Sequence, residues 1–110
     1  MENFDKKMES YLTGCQEVYN EYHKVNGFRE EMKDELSYKK GRRYAKVISL
    51  LSGGVQRSVH SFVDMKEGPT FGDVLKPAGW AKPAKHARGN IFNNDNGLAK
   101  MGPHGPHYLK

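Results

Sequence analysis

Tyr44-Ala45-Lys46-Val47-Ile48-Ser49-Leu50-Leu51, a break at Ser52-Gly53-Gly54, then Val55-Gln56-Arg57-Ser58-Val59-His60-Ser61-Phe62-Val63-Asp64 is the stretch that decides the fold. Both runs are rich in β-branched and aromatic residues and are short enough to be strands. The glycine pair between them reads as a hairpin turn. Alternation in the second run puts Arg57, Val59, Ser61 and Val63 on one face and Ser58, His60, Phe62 and Asp64 on the other. Upstream, Leu36-Ser37-Tyr38 leads into a turn at Lys40-Gly41. Downstream, Glu67-Gly68-Pro69 turns the chain into a short final strand, Phe71–Lys76, that Pro77 should stop. Short connections favour an antiparallel meander, here of three or four strands over residues 33–76.

Such a sheet needs a cover, and the N-terminus supplies one. Phe4, Met8, Tyr11, Cys15, Val18, Tyr22 and Val25 recur in alternating steps of four and three, with Leu12 and Tyr19 widening the stripe. This spacing predicts an amphipathic helix over residues 3–25, closed by Asn26-Gly27. Gly14 inside it should cost about 1 kcal/mol relative to alanine. The stripe is aromatic and broad, which suits a sheet-facing helix better than a coiled-coil seam. Apolar surface left over would offer a homodimer contact through this helix. The fold class is therefore α+β: one domain over residues 1–110, with the helix packed on the meander.

Residues 77–92 form a basic turn. Lys82-Pro83 opens a short second helix near 83–88, with Gly89 as its cap. In that helix Lys82, Lys85 and Arg88 line one face, flanked by Trp80 and Phe92. A lone tryptophan in so small a domain belongs by default to the core. Residues 93–110 are rich in Asn, Gly, Pro and His and read as a loop-rich, irregular tail.

Charge separates the two parts of the chain. Residues 1–37 carry nine acidic and five basic side chains, and residues 38–110 four and thirteen, within a net +5 for the whole chain. A basic, aromatic body of this kind fits a polyanion partner, DNA or RNA. Lys82, Lys85 and Arg88, supported by Arg42, Arg43, Lys46 and Arg57, would contact phosphates. Trp80 or Phe92 would stack on a base, and His86 or Asn90 would hydrogen-bond to it. The same surface would also suit a host-takeover or assembly adaptor that binds an acidic host or virion protein. The plainer reading is a solvated sheet face whose cations, Lys39 among them, discourage edge pairing.

Other classes find little support. A single cysteine, Cys15, precludes an internal disulfide, and its place on the apolar stripe favours burial over nucleophilic use. Asp64 and Asp73 with Lys76 lack the spacing of the Asp/Glu-x-Lys nucleases. His86, Asn90 and His104 lack the surroundings of a His–Asn–His nuclease. His104 and His107, with His86 or His60, have neither a Cys pair nor an acidic motif beside them. No metal or cofactor is expected, and the chain reads as non-enzymatic. No apolar run approaches the roughly 18 residues that span a bilayer. Met1-Glu2-Asn3-Phe4-Asp5 lacks the character of a signal peptide, so a cytosolic protein is expected.

Three runs carry a resemblance: Ser58–Asp64, Gly72–Trp80 and Pro83–Phe92, with Lys85-His86-Ala87-Arg88-Gly89-Asn90-Ile91 the most specific part. Together with Tyr44-Ala45-Lys46-Val47 they resemble a family of small uncharacterised proteins of tailed bacteriophages, marine ones in particular, over residues 41–108 at most. The N-terminal helix is outside it, and the turn at Glu67–Phe71 is longer than the short hairpin expected there. The resemblance implies a phage setting and expression in the cytoplasm of an infected bacterium, and it implies no activity; with the basic surface, the chain reads as a small phage accessory protein.

Overall fold

The computed structural model describes residues 2–25, 27, 35–51, 55–80, 82–98, 101–102 and 105–106. Helix α1 (Glu2–Val25) is followed by strands β1 (Glu35–Lys40), β2 (Tyr44–Leu51), β3 (Val55–Asp64), β4 (Asp73–Gly79) and β5 (Lys82–Asn90). These five strands form one antiparallel sheet in sequence order. A two-stranded ribbon of β6 (Met101–Gly102) and β7 (Gly105–Pro106) completes the fold.

The meander is as expected, but it has five strands rather than three or four. The difference lies mostly in residues 82–90. They form β5, not a short helix, and pair with β4 through Asp73↔Asn90, Val74↔Gly89 and Leu75↔Ala87. A helix of six residues would gain little from its own hydrogen bonds. As a strand, the same residues satisfy the backbone of β4. Pro77 does not end β4 either: it lies opposite Pro83 in an irregular part of the register, where a missing N–H costs little.

One face of the sheet meets α1. Phe4, Met8, Tyr11 and Cys15 of the helix join Ala45, Val47, Val63, Val74, Ile91 and Met101 in a single core. Each fully buried side chain of this kind contributes about 1.5–3 kcal/mol. The heptad stripe holds only for its first half. After Cys15 the buried positions are Tyr19 and His23, while Val25 is 73% exposed. A straight α-helix drifts against a seven-residue repeat, so a helix lying on a flat partner buries positions four apart instead. Gly14 has its own reason: a Cβ there would overlap the end of Leu98, which packs against the core from the 91–98 turn. The helix is also tied to β1, where Gln16 Oε1 accepts the Leu36 N–H at 2.7 Å.

Polar groups in the core are linked. The Tyr11 hydroxyl lies 2.7 Å from Ser61 Oγ, which lies 2.9 Å from His60 Nδ1. His60 is the extra residue of a bulge, since Val47 faces Ser61 while Ile48 faces Val59. The bulge breaks the expected alternation of β3. Val59 shares a face with Ile48, not with Ser61 and Val63.

Of the tail, residues 91–98 turn back over the core, and the buried Met101 anchors the ribbon. His104 and His107 lie outside the described residues, as do Asn26 and the Ser52-Gly53-Gly54 turn. Among the described residues no helix is long and apolar enough to cross a membrane.

Burial pushes the Cys15 thiol up to about 12, against a weaker opposing effect of the Tyr11 hydrogen bond. Cys15 should therefore resist iodoacetamide at pH 8 in the folded protein and react fully in urea, as read by mass spectrometry. Fast labelling without denaturant would contradict this packing of α1.

Candidate nucleic-acid interface

The face of the sheet turned away from α1 is where the chemistry gathers. Because Ala45 and Val47 point into the core, Tyr44, Lys46 and Ile48 must point outward. Phe62 sits opposite Lys46 on β3 and joins them. Together with Trp80, from the turn after β4, these residues border a cavity of about 570 Å³. Its remaining lining is the β1–β2 hairpin, Lys39-Lys40-Gly41-Arg42-Arg43. Five basic side chains therefore stand around an aromatic and aliphatic floor, with no acidic residue among the described residues of the lining.

Aromatic rings hold some of these cations. Lys46 Nζ lies 4.7 Å from the centre of the Trp80 ring and 6.0 Å from that of Phe62. The Arg43 guanidinium lies 5.1 Å from the Tyr44 ring. Trp80 is not in the core: it is 54% exposed. The core is closed instead by Ile91 and by a ring stack of Phe92 on Phe71, with centroids 5.1 Å apart. That stack commits Phe92 to the fold.

The cations differ in what they already do. Lys40 pairs with Asp5 of α1, an exposed contact of little energetic weight. Arg43 directs Nε and Nη2 at the two oxygens of Asp64, at 3.3 and 3.1 Å. Asp64 also accepts the Lys66 N–H at 2.9 Å and the Thr70 hydroxyl at 2.8 Å. This carboxylate joins the tip of the β1–β2 hairpin to the β3–β4 connection and so shapes one wall of the cavity. Lys39, Arg42 and Lys46 have no acidic partner among the described residues.

The other predicted residues fall elsewhere. Lys82, Lys85, His86 and Arg88 lie along β5 and do not line the cavity. Three-residue spacing aligns side chains on a helix, whereas a strand alternates them, so the basic row expected there does not form. The Arg88 guanidinium donates to the His86 carbonyl. Asn90 is committed to the fold: its Nδ2 donates to Phe71 O and Asp73 Oδ1, and its Oδ1 accepts the Phe92 N–H. This clamp closes around Gly72, whose φ of +85° and contact with the Phe92 ring leave no room for a side chain. Arg57 belongs to β3, but its side chain lies outside the described residues. Tyr44, Ile48 and Phe62 were not expected at a site. Their signal was present in the alternation of the Tyr44–Leu51 run and, for Phe62, of the Val55–Asp64 run.

Burial would raise the Asp64 carboxyl, but hydrogen bonds from Arg43, Lys66 and Thr70 and the charge of Arg43 outweigh it and hold the group below its usual 3.8. A carboxyl lowered on folding adds stability above its unfolded value, and that stability is lost as pH falls through the folded value. Asp64→Asn should therefore flatten the loss of thermal stability below about pH 4. At pH 7 it should cost about 1–2 kcal/mol, mostly because Asn keeps a single acceptor oxygen for the two bonds from Lys66 and Thr70, while water replaces what the half-exposed Arg43 loses. Melting curves from pH 7 to pH 3 read both; an unchanged acid limb would contradict this role for Asp64.

No curated protein and no solved structure matches the chain. One family model does match, over residues 2–103, and it takes in α1, which the resemblance noted above left out. The helix that covers the sheet is thus part of what defines the relatives, and the chain belongs to DUF7717, a family of unknown function.

Proposed function

We propose that this protein binds nucleic acid without enzymatic action and with weak sequence preference, through the basic, aromatic cavity on the outer face of the sheet. The observation that carries the reading is the cavity's composition among the described residues: five cations around one floor, a half-exposed tryptophan at its rim and no acidic side chain. Lys39, Arg42 and Lys46 are the cations that meet phosphates, with Arg43 held beside them by Asp64. Clustered like charges repel one another, and a polyanion relieves that repulsion while releasing its own counterions. Lys82, Lys85 and Arg88 add long-range attraction from β5. An acidic protein could use the same cations and the same indole; such an adaptor would hold one defined partner and show little affinity for DNA or RNA.

The setting proposed with it takes the phage and the infected bacterial cytoplasm from the resemblance and adds an accessory role. Weak, sequence-tolerant binding suits an accessory role on nucleic acid already present in quantity.

Anisotropy titrations of labelled DNA and RNA at low and at physiological salt test the reading. Affinity should fall steeply with salt. The double reversal Arg42→Glu with Lys46→Glu should reduce binding at least about ten-fold and flatten the salt slope. Lys85→Glu should give a smaller and uniform loss. Absence of binding at low salt, or a larger effect from Lys85 than from Arg42 and Lys46, would contradict the reading.

A further inference from the structure

We infer that Trp80 is a stacking platform for one unpaired nucleobase, so that the partner is a single strand rather than a duplex; this rests on the nucleic-acid reading above. Trp80 stands between two recesses. It borders the basic cavity on one side and, with Ser58, Val59 and Pro77, a smaller one of about 380 Å³ on the other. An exposed tryptophan at that junction offers a large apolar surface that the fold itself does not use. The second aromatic candidate is spent, since Phe92 is stacked on Phe71. The basic cavity, about 570 Å³, is within the range of small-ligand pockets, roughly 300–1,000 Å³.

Geometry excludes a paired base from this surface. In a duplex both faces of each base are covered by neighbours, and only the edges and the phosphates are reachable. A strand that can turn one base out of its stack can lay it on the indole while its phosphates meet Arg42 and Lys39.

Lys46 makes the exchange specific. Its ammonium lies over the Trp80 ring in the free protein, 4.7 Å from the centre. A cation–π contact at an exposed ring is weaker than base stacking on an aromatic side chain. The incoming base therefore displaces the ammonium, and the freed ammonium turns to the adjacent phosphate. One side chain thus shields the platform when it is empty and strengthens the complex when it is filled.

Trp80 is the sole tryptophan, so its fluorescence reports on the platform alone. The full chain is titrated with oligothymidylate, oligouridylate, an abasic strand of equal length and a duplex, at one low salt concentration. At least one of the two single strands should bind about ten-fold tighter than the abasic strand and the duplex and should quench the tryptophan. Trp80→Ala should bring that strand down to the abasic level, and Trp80→Phe should restore most of the difference. Circular dichroism confirms that both variants are folded. Equal binding of all four probes, or Trp80→Ala lowering all four alike, would overturn the stacking inference and leave the phosphate reading standing. No binding of any probe would overturn both.

Discussion

The packing of Met8, Tyr11 and Cys15 against Ala45, Val47 and Val63 is the contact on which the rest of this structure depends. It decides which side of a two-faced strand is inside. Once Ala45 and Val47 are buried, Tyr44, Lys46 and Ile48 have nowhere to go but outward, and the turn at Gly41 delivers two cations on either side of it. A slip of one residue in β2 would bury Lys46 and expose Val47. The basic cavity is therefore a consequence of the core, not an addition to it.

The outer face is built to stay in place. Arg43 is bonded to Asp64, and Asp64 in turn accepts from the Lys66 N–H and the Thr70 hydroxyl, so the hairpin tip is tied to the β3–β4 connection. The Asn90 clamp and the Phe71–Phe92 stack tie the start of β4 to the end of β5. Lys46 and Trp80 are held more lightly, by a cation–π contact that water can compete with. Walls tied by hydrogen bonds and a lightly held centre would suit the flexible anionic strand proposed as the partner.

Much of this was legible in the sequence. Period two in residues 44–64 and the helical stripe in residues 4–15 named the helix, its cover role and the antiparallel order. The site was legible only in part. Arg42, Arg43 and Lys46 were recognised as one exposed face, but the weight fell on Lys82, Lys85 and Arg88. Pro83 at a helix start and cations every three residues form a local pattern, and pairing with β4 overrides it. Size argues for a core Trp80 and the basic surroundings for an exposed one; Trp80 is exposed, and Ile91 with the Phe71–Phe92 stack closes the core instead. The bulge at His60, which turns Val59 to the outer face, leaves no local mark in the sequence, because its cause is the mismatch with β2.

The claim that matters most is that binding happens on the face turned away from α1. Amide chemical-shift mapping of the full chain with a short single-stranded oligonucleotide tests it directly. The account predicts shifts at residues 39–46, at Phe62 and at the single indole N–H of Trp80, with α1 silent. Shifts confined to residues 82–88, or to the helix, would contradict it.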